Sequence, residues 1–529
     1  MLWNATWREQ VWNELPKPWD VIIVGGGITG AGILREASRH GWRTLLVEAN
    51  DFGSGTSSRS SKLVHGGLRY LRDGKLRLTL VSVRERQQLL KQGRGLINPL
   101  GFLLANYKND RVPTWVFGLG LILYDLMGLQ WGHRHYGHEV LRSYCPQLSP
   151  IGLEGGFRYF DAQTDDARLV LRVIREAVQD GGVALNYARV EGLLKSRSSQ
   201  VLGIELQDQS PQGKGRTAEV HAPLVINATG AWTDGLRTLL SRPPRIRKLR
   251  GSHLVFPWVN LPLSRAVSFM HPANGRPVFA FPWEGVTLFG TTDVEHRMAL
   301  HDEPRASAAE IEYLLEGLAY AFPEAPLDIS AVLCAFAGVR GVIDTGKSDP
   351  SRESREHVLW NEHGLLTVTG GKLTTFQTMA HDTLHAARRR LPSVREKRHT
   401  PRALDDIAIE TFETSDLPAV TRLRLAGRYG HDTVHILQMD DKEEQKSIGN
   451  SPHLWTELRW AVRGEAVVHL SDLLLRRVRL GITLPAGGLN QLDQIRAIVQ
   501  PELAWDNSRW QEEVDTYRRL WRSAYAPGG

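Results

Sequence analysis

The chain has 529 residues, of which 42% are hydrophobic and 23% charged, a composition that excludes a disordered or fibrous protein. At roughly 150 residues per domain, this length predicts about three domains and a core large enough to enclose a cofactor. The formal net charge of +7 favours anionic partners, without choosing among phosphate metabolites, acidic lipids and nucleic acid.

Residues 1–18 form an N-terminal extension before the first predicted strand. They lack the apolar core of a secretory signal, and two glutamates argue against a mitochondrial transit peptide. Trp3, Trp7 and Trp12 recur near helical spacing, which predicts a short helix over 2–14. That helix fits two positions equally well, one at a membrane interface or docking surface and one packed on the protein body.

A βαβ unit is predicted directly after this extension. Residues 20–24 are a short, apolar, β-branched run typical of a buried parallel strand. Residues 31–40 follow as a helix closed by Gly41, and residues 43–47 form the next strand.

The turn inside this unit carries the spacing Gly25-x-Gly27-x-x-Gly30. The first glycine permits a sharp turn, the second lets a pyrophosphate approach the helix N-terminus, and the third lets helix and strand pack closely. Glu48, at the end of the second strand, can accept hydrogen bonds from the adenosine ribose. The pattern therefore predicts a dinucleotide site, with Ile28 and Thr29 among its backbone contacts.

Further elements follow in chain order. The patterns predict helices over 76–92, 165–180 with Asp165 as the cap, 307–322 and 373–389, and strands within 184–219, 224–228, 250–300 and 365–368. From about residue 401 helical patterns dominate, which predicts a separate α-helical domain over 401–529.

Residues 115–129 are the most apolar stretch of the chain. They are too short to span a bilayer and Asp125 interrupts them, so we predict no transmembrane helix. A buried core helix and a helix lying in the membrane interface both fit this stretch. The flanking residues favour the interface, because they are cationic or amphipathic; they are Lys108, Arg111, Trp131, His133, Arg134 and His135.

Two later segments indicate FAD rather than NAD. Ala228-Thr229-Gly230 follows a distant returning strand and is similar to the second flavin signature of flavoproteins with two dinucleotide folds. Residues 370–374 (Gly-Gly-Lys-Leu-Thr) end a strand and open a helix, so the N–H groups of Gly371, Lys372, Leu373 and Thr374 could face the flavin pyrimidine. Three separated segments converging on one cofactor predict a flavoprotein.

Residues 56–71, TSSRSSKLVHGGLRYL, resemble the FAD-dependent, membrane-associated glycerol-3-phosphate dehydrogenases of the aerobic bacterial type. The likeness is strong over roughly 19–390 and looser in the C-terminal region, mainly over 457–481. It recurs at 165–170, 251–253, 290–293, 338–340 and 370–375. The chain departs from the family at Thr29, where Asn is common, and at Gly341, where Pro is common.

The resemblance implies an α/β fold. Its FAD domain, of the two-dinucleotide-binding type, would span 19–400. An inserted mixed and antiparallel sheet for substrate would interleave with it at roughly 76–160 and 250–345. The C-terminal α-helical region would be the cap domain of the family.

The resemblance also implies the substrate sn-glycerol 3-phosphate, whose phosphate requires cations such as arginine. It assigns substrate contacts to Arg69, Tyr70, Thr292 and Arg355. It places Arg340, His253, His65 and Lys372 at the reacting end, and further cofactor contacts at Ser57, Ser58, Ser61, Lys62, Leu63 and His65. Because arginine rarely deprotonates, we expect Arg340 to stabilise the developing alkoxide, and the proton acceptor stays open between His253 and His65.

Three alternative functions fit the same architecture. They are an oxidase of an amino acid or secondary amine, a glycerol-3-phosphate oxidase that uses oxygen, and a lipid- or nucleic-acid-binding protein that only keeps the fold. We expect electrons to pass to a membrane quinone from an enzyme attached peripherally to the cytoplasmic face of the inner membrane. No nucleic-acid motif accompanies the charge, and a homodimer is possible. Two cysteines, Cys145 and Cys334, are too few for a disulfide framework or an iron–sulfur or zinc site, so we expect no metal.

Overall fold

A computed structural model describes the chain except for residues 1–2, 4–5, 68–73, 75, 129–131, 214, 347–352, 354–355, 394–401, 409–411, 413–414, 440 and 529. The strands are β1 (Val21–Val24), β2 (Thr44–Val47), β3 (Leu63–Val64), β4 (Ile97–Tyr107), β5 (Arg134–Gly137), β6 (Leu153–Thr164), β7 (Val183–Leu185), β8 (Ala188–Lys195), β9 (Val201–Asp208), β10 (Thr217–His221), β11 (Leu224–Asn227), β12 (Ile246–Pro257), β13 (Ala266–Met270), β14 (Pro277–Trp283), β15 (Val286–Gly290), β16 (Val294–Glu295), β17 (Cys334–Ile343), β18 (Val358–Glu362) and β19 (Leu365–Thr369). The helices are α1 (Trp7–Glu14), α2 (Ile28–Arg39), α3 (Leu76–Gln92), α4 (Thr114–Gly128), α5 (His138–Tyr144), α6 (Asp166–Gln179), α7 (Thr233–Thr238), α8 (Ala308–Ala321), α9 (Phe376–Ala387), α10 (Ala419–Tyr429), α11 (Thr433–Leu437), α12 (Trp455–Gly464), α13 (Leu470–Asp472), α14 (Leu480–Thr483), α15 (Leu492–Glu502) and α16 (Asn507–Ala524).

A six-stranded sheet in the order β18-β19-β11-β1-β2-β7 forms the dinucleotide-binding half of the molecule. Its strands are parallel except for β18, and all four residues of β1 are buried, as the apolar β-branched run predicts. Helices α2 and α6 pack beside each other on this sheet. The predicted cap of α6 is confirmed, because the Asp165 carboxylate accepts a hydrogen bond from the N–H of Arg168.

A second, mixed sheet follows the order β16-β12-β15-β14-β13-β4-β6-β3, with β17 paired to β12 and β5 paired to β6. One of its faces is covered by α8, which begins with a capping box between Ser307 and Glu310. The opposite face packs against the C-terminal helices, where Trp283 and Phe336 of the sheet share a core with Leu474 and Trp521. The predicted architecture of a parallel sheet, an inserted mixed sheet and a helical C-terminal region is confirmed.

The N-terminal extension packs on the protein body, which is one of the two positions that its tryptophan spacing left open and excludes the one at a membrane interface. Trp3, Trp7 and Trp12 are all buried, and Trp3 stacks on Phe52 with ring centroids 5.2 Å apart. Arg8 of α1 donates a hydrogen bond of 2.8 Å to the carbonyl of Asn186. These contacts leave no apolar face of α1 for a membrane.

Helix α4 contains residues 115–128 of the apolar stretch and is exposed along one side. Trp115 is 70% exposed, Leu119 60% and Leu126 51%, whereas Leu121 is wholly buried. Asp125, which interrupts the apolar run, lies inside the helix, three residues before its end at Gly128, and its carboxylate accepts hydrogen bonds from the backbone N–H groups of Gly132 and His133. Within the described residues, no helix is both long and apolar enough to cross a membrane.

Candidate functional site

The glycine-rich turn after β1 is built so that only glycine fits at two of its positions. Gly25 has a φ of +113°, and a Cβ there would lie 2.6 Å from the carbonyl oxygen of Ala228. A Cβ on Gly30 would lie 1.9 Å from the carbonyl oxygen of Gly25. Helix α2 begins at Ile28 with Gly27 as its N-cap; the N–H of Ile28 donates to the Ser57 hydroxyl, and the N–H groups that follow it form a helix N-terminus that could receive a phosphate.

Glu48 borders this turn as the sequence predicts. Its Oε2 accepts a hydrogen bond of 2.7 Å from the N–H of Gly26, and its Oε1 accepts one of 2.9 Å from Asn50. Burial raises the pKa of Glu48 above its ordinary value, while these two N–H groups oppose the rise. The carboxylate is thus held at the end of β2, where ribose hydroxyls could reach it.

Two further predicted segments end at the same edge of the sheet, because β1, β11 and β19 are neighbours and parallel. After β11, Ala228 is buried and the Thr229 hydroxyl donates to Asn227. After β19, Gly370 and Gly371 both have positive φ. The segment ends in a single helical turn, Leu373–Thr375, with Lys372 at its start. Gly230, Gly371, Lys372, Leu373 and Thr374 therefore lie at the edge predicted for the cofactor.

Lys372 contacts helix α3, since its Nζ lies 3.2 Å from the Ser82 hydroxyl. One turn further along α3, Glu85 accepts a hydrogen bond of 3.0 Å from the N–H of Thr378, in the first turn of α9. Burial raises the pKa of Glu85 to about 7. Lys372 and the N-terminus of α9 thus both contact the part of α3 that carries the buried carboxyl group of Glu85.

Residues 56–61 connect the dinucleotide turn to the mixed sheet. The Ser57 hydroxyl accepts a hydrogen bond of 3.0 Å from the N–H of Ile28, the residue before Thr29. The Thr56 hydroxyl donates to the carbonyl of Val339 on β17, and the Ser61 hydroxyl lies 2.8 Å from His253 Nε2 on β12. This segment therefore holds the turn and the two strands together.

Three residues of this region that are predicted to contact the cofactor have side chains buried in the protein interior. Lys62 is fully buried and its Nζ lies 2.9 Å from Asp166, while Leu63 packs in the core beneath the C-terminal helices. Ser58 is buried, and its carbonyl accepts a hydrogen bond of 3.2 Å from Lys62. Any contact of these three residues with the cofactor would therefore be through backbone atoms, and it stays a prediction.

His253 and Arg340 lie on the paired strands β12 and β17, four residue pairs apart. His253 is buried and stacked on Phe336, and burial, with Lys62 and Arg340 nearby, lowers its pKa to about 3. A pKa this low makes the imidazole a weak base, which favours His65 of the two proton acceptors that the sequence left open.

Arg340 has a side chain 30% exposed and forms an ion pair with the fully buried Asp293. Asp293 also pairs with Arg276 at 2.9 Å, so one carboxylate fixes two guanidinium groups. Asp293 was missed as a functional residue, although it ends the motif at 290–293. It orients the cation that the sequence assigns to the reacting end.

Thr292 is buried and hydrogen-bonded within the protein, and its assignment to the substrate stays a prediction. Its hydroxyl donates to Glu310 at 2.7 Å and accepts from the N–H of Ser252 at 2.9 Å, and the side chain is buried. It ties β12 to α8. Arg69, Tyr70 and Arg355 lie outside the described residues.

His65 is half-buried. The residue after it, Gly66, is hydrogen-bonded through its backbone N–H to a side chain of helix α4. The N–H of Gly66 donates to the Tyr124 hydroxyl at 2.9 Å and to Asp161 at 3.2 Å, and Arg86 donates to the same carboxylate. No sequence signal pointed to this network, because its members are far apart along the chain. It places α4 next to the candidate site.

The residues present fit a flavin dinucleotide. The glycine turn leaves no room for side chains and offers helix N–H groups to a pyrophosphate, Glu48 lies at the ribose position, and the segments after β11 and β19 meet at the same edge. Among the described residues, no group of three or more His, Cys, Asp or Glu side chains could hold a metal ion. Cys145 and Cys334 are buried free thiols. The fold and site define an FAD-dependent oxidoreductase.

Comparison with known proteins agrees with this class. The family described as "FAD dependent oxidoreductase" matches residues 20–377, and "C-terminal domain of alpha-glycerophosphate oxidase" matches residues 398–510. A relative named "Aerobic glycerol-3-phosphate dehydrogenase" from Staphylococcus haemolyticus is 33% identical over 89% of this chain and 88% of its own. One of the same name from Bacillus subtilis is 31% identical over 98% of both chains. The chain belongs to the FAD-dependent glycerol-3-phosphate dehydrogenase family.

Solved structures show the same relationship. The glycerol-3-phosphate dehydrogenase from Bacillus halodurans, complexed with FAD, matches with a TM-score of 0.77 and 27% identity over 98% of both chains. The L-alpha-glycerophosphate oxidase from Mycoplasma pneumoniae, with FAD bound, has a TM-score of 0.57 and 17% identity, and covers 74% of this chain and 99% of its own. The second likeness shows the fold alone.

Proposed function

We propose that this protein oxidises sn-glycerol 3-phosphate to dihydroxyacetone phosphate and passes the electrons to a membrane quinone. The observation that carries the substrate is the 31–33% identity, over 89–98% of the chain, to relatives named glycerol-3-phosphate dehydrogenases. Amine and amino-acid oxidases resemble the chain only in fold, for instance an L-proline dehydrogenase at 15% identity. No observation favours their substrates here.

Bound FAD would supply the two-electron acceptor for the hydrogen and electron pair that leave C2 of the alcohol as it becomes a ketone. The turn at Gly25 and Gly27 would hold its pyrophosphate and Glu48 its ribose. The positive charge of Lys372 and the N–H groups that follow it favour the negative charge that the flavin pyrimidine gains on reduction.

Arg340 acts on the substrate oxygen. Its guanidinium, held by the buried Asp293, stabilises the negative charge that grows on the hydroxyl oxygen as its proton leaves. The proton goes to His65 or to water, because His253, with a pKa of about 3, cannot hold it near neutral pH. His253 instead fixes the Ser61 hydroxyl at 2.8 Å and thereby the loop beside the site.

The exposed side of α4 supports peripheral attachment to a membrane. Trp115, Leu119 and Leu126 present apolar area to solvent, and cations flank the helix on both sides, among them Lys108 and Arg134. A lipid surface fits this combination. Since Tyr124 of the same helix contacts the backbone at Gly66, attachment here would bring the flavin site close to a quinone dissolved in the bilayer.

One experiment tests both the product of the reaction and the electron acceptor. The purified holoenzyme is mixed with sn-glycerol 3-phosphate and either vesicles containing a quinone or oxygen alone, and dihydroxyacetone phosphate and hydrogen peroxide are measured. We expect the ketone in the quinone reaction at a rate well above that with oxygen, and little peroxide. Stoichiometric peroxide with oxygen at the same rate would make the protein an oxidase, and no ketone in either reaction would refute the substrate.

A further inference from the structure

Three arginines of the C-terminal helical region reach into residues 51–62, the segment that borders the dinucleotide turn. Arg476 and Arg477 end a π-helical turn over Leu473–Arg477, and Arg479 follows with a φ of 53°. We call these three residues the arginine clamp. Both π-helical turns and left-handed non-glycine residues cost free energy and concentrate at functional positions, so this backbone shape calls for an explanation.

The first contact of the clamp is Asp51. Arg477 donates to both carboxylate oxygens, at 2.5 and 2.8 Å, and Arg476 donates to one of them. Asp51 and Arg477 are fully buried. Burial alone would raise the pKa of this carboxyl group, but the two guanidinium groups hold it at about 2. Asp51 is therefore ionised and depends on the clamp for its charge partner.

The second contact lies at the other end of the segment. Arg479 donates to the carbonyl of Ser58 at 2.9 Å and to Asp166 at 3.2 Å. Asp166 in turn accepts from the N–H of Ser60 at 2.9 Å and from Lys62 Nζ at 2.9 Å. Charged groups buried in this way are costly to leave unpaired, so removal of a guanidinium would release the segment.

The opposite side of residues 51–62 is hydrogen-bonded to the dinucleotide turn. The N–H of Gly53 donates to the carbonyl of Gly26 at 2.9 Å, and the Ser57 hydroxyl accepts from the N–H of Ile28 at 3.0 Å. Gly53 is two residues from Asp51, and Ser57 is the neighbour of Ser58. The segment is thus bonded to the clamp on one side and to the turn on the other.

We propose that the arginine clamp is a set of positioning residues for FAD: it holds residues 51–62 against the dinucleotide turn, so that docking of the C-terminal helices and binding of FAD strengthen each other. Coupling of this kind is reciprocal. Loss of the clamp therefore weakens FAD binding, and FAD in turn protects the C-terminal region from opening.

Apoprotein of the full chain is titrated with FAD, and the dissociation constant is read from the quenching of flavin fluorescence. Arg477→Met removes the bidentate pair with Asp51, and we expect it to raise the dissociation constant tenfold or more. Arg172→Met is the matched control, because Arg172 is a buried arginine of α6 that donates to the carbonyls of Ala426 and Gly427, at 3.1 and 2.5 Å, and so also holds the C-terminal region. Its further hydrogen bonds go to Glu176 and to the carbonyl of Asp405, both outside residues 51–62, and we expect its dissociation constant to stay within twofold of the parent's.

Equal dissociation constants in the two variants would overturn the proposal, since both then report only lost stability. If Arg477→Met does not fold, Asp51→Asn takes its place with the same expected tenfold change. The reciprocal effect is measured on the parent by hydrogen exchange of residues 465–480. We expect FAD to slow this exchange in the parent, and an unchanged rate would also overturn the proposal.

Discussion

Replacement of Trp115 by serine tests the role of helix α4 in membrane attachment. Trp115 is 70% exposed, and a tryptophan side chain offers up to about 250 Å² of surface. Its exposed part is therefore about 175 Å², which at about 25 cal/mol per Å² is worth at most about 4 kcal/mol on transfer out of water. Since about 1.4 kcal/mol corresponds to a factor of ten, we expect the lipid–water partition coefficient to fall by 10²–10³-fold.

The assay is sedimentation with vesicles that contain anionic lipid, together with quinone reduction and reduction of a water-soluble dye. Trp115→Ser should lose vesicle binding and quinone reduction while dye reduction and thermal stability persist, because exposed substitutions rarely change stability by more than about 0.5 kcal/mol. Trp258→Ser is the control, since Trp258 is 46% exposed and lies outside α4. If both variants sediment like the parent, the exposed side of α4 is not the anchor. Salt should weaken binding of the parent, because each cation near an anionic surface contributes about 1 kcal/mol.

Three further changes test the site. Gly27→Val should purify without flavin, because even a Cβ would lie 3.1 Å from the Ser57 hydroxyl and a larger side chain would occupy the pyrophosphate path; a fully yellow variant would contradict this. Arg340→Ala should keep FAD but reduce it with glycerol 3-phosphate 10²–10³-fold more slowly in stopped flow, and near-normal rates would remove Arg340 from the chemistry. The pKa of Glu85 is raised to about 7, so the folded state keeps a proton that the unfolded chain has lost, and stability falls as pH rises from about 4.5 to 7. Glu85→Gln should therefore gain about 3 kcal/mol over the parent between pH 4.5 and 8 in denaturant titrations, and a gain that does not vary with pH would refute the shift.

The features that the sequence predicts correctly are local ones. The turn at Gly25 and Gly30, the cap at Asp165 and the helix 76–92 follow from the conformations and hydrogen bonds of neighbouring residues. The motif at 338–340 indicates the place of Arg340. The place of the segment after β19 follows from the rule that neighbouring parallel strands end at the same edge of a sheet.

The sequence does not indicate side-chain positions that depend on partners in other elements. Lys62 contacts Asp166, and Thr292 contacts Glu310, and each carboxylate lies in a different element from the side chain that it holds. The burial that makes His253 a weak base comes from packing between β12, β17 and the loop at 58–62. Tryptophan spacing in the extension predicts a helix, but only the tertiary structure shows which surface covers it.

The central claim is that this site oxidises glycerol 3-phosphate with FAD. The most direct measurement is anaerobic mixing of the purified yellow protein with sn-glycerol 3-phosphate, while the visible flavin band is followed. We expect the band to bleach at saturable rates, with one dihydroxyacetone phosphate formed for each flavin, and no bleaching with glycerol, glycine or proline. A band that persists with glycerol 3-phosphate but bleaches with one of the amino acids would contradict the account.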